Sequence, residues 1–305
     1  MAFRVTQGMM HSQLIRNLNT NMGKMSDQQD QISTGRKINK PSDDPVGITY
    51  GLRYRTEIAS NEQYKRNVDS AQSWLDFNDS QLDQATKIMQ RINELSVQAS
   101  TGTNTQTSLN SIKSEVDILK QQMVDVANSN FNGKYVFNGQ KFDQIPFDKS
   151  SAGFDAKSVS PDQGSVIYAI GEGIQMPVNL TASEVFGDAD SSGTTDNVFS
   201  VFDRLSSALG SGNYNAIQAE IASVNSRLNK IITARSEIGA RTNRVDLMQD
   251  RLADMKLSLT SLQSKTEDAD VEKLYMDSTV SQNVYQASLS VGAKIITPSL
   301  VNFLN

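Results

Sequence analysis

Apolar residues recur alternately four and three positions apart in five stretches of this sequence. This spacing puts them on one side of an α-helix and is the heptad pattern of helices that pack along one another. The first stretch has polar interruptions at both ends, and its positions are His11, Ile15, Leu18, Met22, Met25, Gln29 and Ile32. It predicts a long N-terminal helix with a weak apolar face.

Three further stretches predict long helices in the middle of the chain, where no proline lies between residues 46 and 145 or between 178 and 297. The second covers residues 68–92 and should end near Gly102. The third covers residues 109–126, and we expect its helix to end at Asn132-Gly133, because both residues tolerate the left-handed backbone of a helix C-cap. The fourth covers residues 217–259, with polar interruptions.

The fifth stretch lies near the C-terminus, at Val280, Val284, Ala287, Val291 and Ile295. The acidic run at residues 267–270 precedes it and predicts an N-cap. Both terminal stretches lack dense leucine, and an isolated amphipathic helix is marginal in water. We therefore predict that the terminal helices find partners in each other or in an assembly, through an assembly seam formed by Ile15, Leu18, Met22, Met25, Ile32 and the five C-terminal positions.

Residues 134–193 are richer in glycine and proline and contain the apolar runs KYVFNG, SVIYAI and IQMPVNL. Alternation and β-branched residues predict short strands, with GEG at 171–173 as a hairpin turn. The predicted fold is mainly α, an elongated helical bundle or coiled coil built from both halves of the chain around a small inserted β domain. Its predicted segments are 1–45 (N-terminal helix and connector), 46–135 and 194–272 (two halves of a helical domain), 136–193 (β domain) and 273–305 (C-terminal helix).

Composition narrows the function classes. Of 305 residues, 37% are apolar and the mean hydropathy is −0.43, whereas an ordinary globular domain is about 45–50% apolar. The net charge is −5 with no basic block, so nucleic-acid binding is not expected. The chain has no cysteine, and we find neither a signal-type apolar run nor a stretch of about 18 apolar residues that could span a membrane.

Candidate chemistry is sparse. His11 is the only histidine, so a zinc site or a Ser-His-Asp triad would depend on a residue of the terminal stretch, and we expect His11 to be structural. DADSSG at 188–193 begins like an EF-hand loop, but Phe199 stands where the bidentate glutamate is required, so we predict a flexible loop. Trp74 lies beside the second heptad and predicts helix packing. We predict no enzyme activity, cofactor or metal.

The connector, residues 31–47, reads QISTGRKINKPSDDPVG. It joins two predicted helices and is polar and stiff, which suits a linker, an anion-binding loop or a recognition element. Gly35 can end the first helix, and Pro41 and Pro45 restrict the backbone. Asp43 and Asp44 can cap the next helix, with Pro45 in its first turn.

This connector resembles the N-terminal signature of the flagellin superfamily, and INKPSDDPVG resembles the version in its hook–filament junction members. Residues 267–304, which end in QASLSVGAKIITPSLVNFL, and NGKYVFNGQKFDQIPF at 132–147 are similar to the same members. The resemblance covers most of the chain and is weakest over residues 148–195. It implies an extracellular structural protein of the bacterial flagellum, exported through the flagellar type III channel without a cleaved signal peptide.

The resemblance also implies partners and roles. The partners would be other copies in a ring, the hook-side hook-associated protein, flagellin, and a cytoplasmic export chaperone on the C-terminal helix. The terminal helices would form a coiled coil in the inner tube, and the connector would be a spoke to the outer helical domain. Its signature would be Arg36, Lys37, Asn39, Pro41, Asp43, Asp44 and Pro45, with the basic residues facing a neighbouring subunit's carboxylates. The alternatives are a flagellin filament subunit and, in another class, a cytoplasmic coiled-coil scaffold.

Overall fold

The structure is a computed structural model that describes residues 7–150 and 153–296. Within these ranges the helices are α1 (Gln7–Thr34), α2 (Pro45–Ala99), α3 (Gln106–Ala127), α4 (Ala182–Phe186), α5 (Val198–Ser211), α6 (Tyr214–Glu267) and α7 (Val271–Ile296). The strands are β1 (Asn130–Phe131), β2 (Lys134–Tyr135), β3 (Ile167–Gly171) and β4 (Ile174–Pro177). The predicted mainly α class, with long helices from both halves of the chain and a little β structure between them, is confirmed.

Local sequence signals account for most helix ends. The 55 residues of α2 make a helix about 80 Å long, and a glycine at positive φ, Gly102, follows its end as predicted. The side chain of Thr105 accepts a hydrogen bond from the Ser108 N–H and caps α3. Asn197 caps α5 in the same way, and Gly212 ends it in the left-handed conformation.

The predicted end of α3 is wrong. The helix ends at Ala127, and Asn132 (φ 50°) and Gly133 (φ 81°) form the turn of the β1–β2 hairpin. In that hairpin Asn130 pairs with Tyr135. Two successive residues with positive φ suit a tight hairpin turn as well as a helix C-cap, so the Asn-Gly pair alone could not separate the two structures.

The chain divides into two compact units. Unit 1 comprises residues 1–60 and 255–305, and unit 2 comprises residues 61–254. The boundaries predicted at 45, 135 and 272 lie within a residue or two of the start of α2, the end of β2 and the start of α7. They mark changes of element, whereas the compact units divide inside α2 and α6.

Unit 2 contains one large hydrophobic core, formed by 44 buried residues. Four aromatic rings lie at its centre, with centroids 5.2–6.2 Å apart, namely Phe137, Phe147, Phe186 and Phe199. The first three come from residues 136–193, so the insert shares the core of the helices. Among the insert's described residues, 136–150 and 153–193, only the hairpin of β3 and β4 forms strand, and a two-stranded sheet is too small to be stable alone.

Polar contacts also join the two halves of the chain within unit 2. Arg235 on α6 donates to Asp79 (2.8 Å) and Asp83 (2.7 Å) on α2. Ser206 on α5 donates to Asp117 on α3 at 2.7 Å. The predicted return of the chain to one helical body after the insert is therefore confirmed for this unit.

The loop at residues 188–193, predicted to be flexible, is instead held by one buried carboxylate. Asp190 accepts hydrogen bonds from the Ser192 hydroxyl, the Gly193 N–H and both the N–H and hydroxyl of Thr195, at 2.7–2.9 Å. Burial by itself raises the pKa of Asp190, but the hydrogen bonds from Ser192 and Thr195 outweigh it and hold the pKa well below its usual range.

Asp190→Asn is therefore expected to destabilise unit 2 by about 1–3 kcal/mol at pH 7, the usual worth of hydrogen bonds to a charged group. Because the folded pKa is depressed, the ionised carboxylate contributes its full stability above the ordinary pKa of about 3.9, and loses it as pH falls toward the folded value. Thermal unfolding of both proteins between pH 7 and pH 2 should show the difference shrinking below about pH 4. A difference that does not depend on pH would contradict this account.

Candidate assembly surface

Unit 1 has almost no core of its own. Among its described residues the buried apolar side chains are Ile38, Leu259 and Leu274, whereas the same residues supply 17 of the 24 large apolar side chains that are described as exposed. Scattered exposed apolar residues are normal on a monomer, but a concentration of them marks an interaction surface. Unit 1 is therefore the candidate assembly surface.

Helices α1 and α7 run antiparallel and pack on each other. The side chains between them repeat at heptad spacing and are the buried or half-buried ones, namely Leu14, Leu18, Asn21, Met25, Gln28 and Ile32 on α1 with Leu274, Ser278, Ser281, Tyr285, Ser288 and Gly292 on α7. A Cβ at Gly292 would lie 2.6 Å from Leu14 Cδ2. The contact on the α7 side is thus made largely by small and polar residues, which permit close approach.

The predicted seam is only partly the one that closes this helix pair. Leu18, Met25 and Ile32 lie in it, but Ile15 and Met22 are exposed on α1. On α7 the predicted positions Val280 (59% exposed), Val284 (46%), Ala287 and Val291 all face away from α1, and the inward positions are the serines and Gly292. Ile295 lies outside the residues whose side chains are described. We define the assembly face as Ile15, Met22, Val280, Val284, Ala287 and Val291.

The connector is organised by its two aspartates. Asp44 accepts from the N–H groups of Val46 (3.1 Å) and Gly47 (2.9 Å) and so caps α2, with Pro45 as its first residue. Asp43 does not cap the helix. It accepts from the N–H groups of Lys40 (2.8 Å) and Asn39 (3.0 Å), and these bonds lower the pKa of Asp43.

The basic residues of the connector have partners within the chain, and their contact with a neighbouring subunit stays a prediction. Arg36 lies 3.8 Å from Glu267. Lys37 Nζ donates to the Lys265 carbonyl at 3.0 Å, and Lys40 Nζ lies 3.4 Å from Asp30. Asp30, ten positions before Lys40, and Glu267, near the other end of the chain, thus compensate two of these three charges.

Glu267, at the end of α6, is the centre of an ion cluster that the sequence did not reveal. Its carboxylate accepts two hydrogen bonds from Arg55 on α2, at 2.7 and 3.2 Å. Its backbone carbonyl accepts from the Lys37 N–H (2.8 Å), and the Ala269 N–H donates to Gly35 (3.0 Å). A Cβ at Gly51 would collide with the Glu267 carboxylate. The acidic run was interpreted only as a helix cap, a role that Asp270 fills by accepting from the Lys273 N–H.

The double variant Asp43→Ala/Asp44→Ala is expected to weaken assembly more than it weakens folding of the monomer. Loss of an N-cap costs about 1 kcal/mol, and both carboxylates belong to unit 1. Thermal unfolding of the purified monomer and assembly in cells are the two measurements. An equal loss of thermal stability and of assembly would show that the two aspartates contribute only to folding of the monomer.

Other candidate residues show no sign of chemistry. His11 is exposed on α1, and Trp74 packs edge to face with Phe131, with ring centroids 5.9 Å apart. Among the described residues, no group of three or more His, Cys, Asp or Glu side chains could hold a metal ion. None of the described helices is long and apolar enough to cross a bilayer.

Comparison with protein families matches both ends of the chain. The model of the bacterial flagellin N-terminal helical region matches residues 5–141, and that of the bacterial flagellin C-terminal helical region matches residues 221–304. Together they include α1, α2, α3 and α7 and most of α6, and therefore every element of the candidate assembly surface.

Individual relatives match over nearly the whole length. Flagellar hook-associated protein 3 of Salmonella typhimurium is 25% identical over 93% of this chain and 94% of its own, and the protein of the same name from Escherichia coli matches equally. Flagellin of Bacillus subtilis is 23% identical over 92% of each chain.

Solved structures confirm the fold. A flagellar hook-associated protein of Vibrio parahaemolyticus has a TM-score of 0.65 at 22% identity and is similar over 74% of this chain and 100% of its own. The flagellar junction protein of Legionella pneumophila has a TM-score of 0.58 at 16% identity, over 72% of this chain and 100% of its own.

Proposed function

Because this chain belongs to the bacterial flagellin family, with one helical region of that family at each end, we propose that it is a structural adaptor that joins the flagellar hook to the flagellin filament. The observation that carries the proposal is the uncovered assembly face. Helices α1 and α7 bury serines and a glycine between them and leave valines outside. The relatives that match over 93% of this chain and are named flagellar hook-associated protein 3 support the choice within the family.

The charge distribution supports close packing of several copies through unit 1. Unit 1 contains 12 basic and 10 acidic residues, whereas unit 2 contains 17 basic and 24 acidic ones. A nearly neutral surface avoids the repulsion between like charges that opposes assembly, and a strongly negative one keeps the rest of the protein soluble. Subunit packing through the terminal helices is thus favoured on both apolar and electrostatic grounds.

The partners follow from this role. Copies of the chain would form a ring, with the hook-side hook-associated protein on one side and flagellin on the other. Before export, a cytoplasmic chaperone would cover the apolar face of α7. The chain would leave the cell through the flagellar type III channel without a cleaved signal peptide and function outside it, in motility. The relatives are structural flagellar proteins, and we propose no enzyme activity.

A filament subunit is the second candidate, and the match to Bacillus subtilis flagellin is the observation that favours it. The two roles use the same helical surface and differ in what lies above and below each subunit. The prolines of the connector, Pro41 and Pro45, favour the junction role, because the stretch INKPSDDPVG that contains them resembles the version in the hook–filament junction members.

Deletion of the gene separates the candidates. Electron microscopy of the deletion strain should show hooks without filaments, and an assay of the culture medium should find flagellin monomers released into it. Complementation with the intact gene should restore filaments. Loss of filaments without any other flagellin in the medium would instead identify a filament subunit. Normal filaments would overturn both and favour a cytoplasmic scaffold.

A further inference from the structure

The described methionine side chains are exposed to different extents in the two units. The described methionines of unit 2 are buried, namely Met89, Met123, Met176 and Met248. Those of unit 1 are half-buried or exposed, namely Met9, Met10, Met22, Met25, Met255 and Met276. The chain has no cysteine, so methionine is its only sulfur that an oxidant can modify.

Two of the exposed methionines lie on the terminal helices at or beside the assembly face. Met22 (53% exposed) belongs to that face, and Met276 (64% exposed) precedes Val280 by one helical turn on α7. The Met22 sulfur also accepts a hydrogen bond from the Tyr285 hydroxyl at 3.8 Å. Oxidation of Met22 would therefore change both the outward surface and a contact between α1 and α7.

We propose that Met22 and Met276 form a reversible oxidation site, through which a peroxide prevents assembly of the chain. This inference rests on the adaptor function proposed above. A sulfur lone pair attacks one peroxide oxygen and forms an S–O bond as the O–O bond breaks, and the departing hydroxide takes the proton of the sulfur-bound hydroxyl and becomes water. The thioether is thereby oxidised to a sulfoxide by two electrons, and hydrogen peroxide is reduced.

The sulfoxide is polar and carries a strong acceptor oxygen, whereas the thioether is a flexible apolar group that adapts to irregular partners. Burying the sulfoxide in a subunit contact would leave its oxygen without a donor, which opposes association. The unit 2 core should be unaffected, because its methionines are shielded from solvent. The expected result is a folded monomer that does not assemble, and a sulfoxide reductase should reverse it.

The first test is peptide mapping by mass spectrometry of the folded full-length chain during exposure to hydrogen peroxide. We expect Met22 and Met276 to oxidise at least about tenfold faster than Met89 and Met123, which react only when unit 2 opens. Equal rates for the two pairs would overturn the proposal.

The second test adds purified chain to cells that lack the gene and counts filament-bearing hooks by electron microscopy. Peroxide-treated chain should restore at least about tenfold fewer filaments than untreated chain, and treatment with methionine sulfoxide reductase should recover the difference. The variant Met22→Leu/Met276→Leu, which keeps apolar side chains, should resist peroxide. Full activity of the treated natural chain, or no recovery by the reductase, would overturn the proposal. Failure of the untreated chain would instead contradict the adaptor function.

Discussion

Replacing Glu267 with alanine is expected to release the connector from the end of α6 and to cost unit 1 about 2–3 kcal/mol of local stability. Removing one partner of a fully buried ion pair costs about 3–5 kcal/mol. The Glu267 side chain is 2% exposed, but Arg55 is 37% and Arg36 is 45% exposed. Because both arginines can be rehydrated after the substitution, we expect less than the full penalty.

Hydrogen exchange is the measurement that isolates this effect. The amide protons of Lys37 and Ala269 hydrogen-bond across the connector, to Glu267 and Gly35, and should exchange about 30–150-fold faster in the variant, as a loss of 2–3 kcal/mol requires. Amides in the unit 2 core should not change. The matched control is Asp277→Asn, which removes an exposed carboxylate from α7. Unchanged exchange at Lys37 and Ala269 would contradict the role assigned to Glu267.

The same cluster explains the requirement for glycine at position 51. Gly51 lies inside α2, where glycine lowers helix stability. In the structure a Cβ there would collide with the Glu267 carboxylate. No local pattern could reveal this contact, because it joins residues more than 200 positions apart in a chain whose two ends return to one unit.

Periodicity predicted the helices of unit 2 well, but it did not show which side of each terminal helix closes the pair, for one physical reason. In unit 2 the apolar heptad positions, such as Leu75, Leu82 and Met89, are buried by the same chain. On α7 the valines follow an equally good heptad, but the helix turns Ser281 and Ser288 toward α1. A heptad shows which residues need a partner, and it does not show whether that partner belongs to the same chain.

The loop around Asp190 and the end of α3 were missed for a different reason. In both places the residues were read correctly as turn formers, but their partners were not visible in the sequence. Because the fold buries Asp190, its carboxylate needs hydrogen-bond donors. The N–H groups of Gly193 and Thr195 supply them, and these bonds order the loop. Asn132 and Gly133 supply positive φ, and only the pairing of Asn130 with Tyr135 makes them a hairpin turn.

Val284→Asp is expected to abolish assembly while leaving the monomer folded. Val284 is 46% exposed, so the free energy of unfolding should change by no more than about 0.5 kcal/mol. If the assembly face packs against other copies, each copy would bury an unpaired carboxylate, at a cost of at least about 2–3 kcal/mol. That cost recurs at every subunit contact of the assembly.

The measurement is the fraction of hooks that carry filaments in cells expressing only the variant, with thermal unfolding of the purified chain beside it. We expect at least a tenfold loss of filaments, about what 1.4 kcal/mol per contact would produce, and an unchanged unfolding temperature. Gln282→Asp is the matched control, because it adds the same charge to an exposed position on another side of α7. If both variants assemble normally, the valines do not meet a partner. If both fail, charge on α7 and not its apolar face limits assembly. The expected result is that Val284→Asp fails to assemble and Gln282→Asp assembles normally. That result agrees with a helix α7 whose serines pack against α1 and whose valines contact the next subunit.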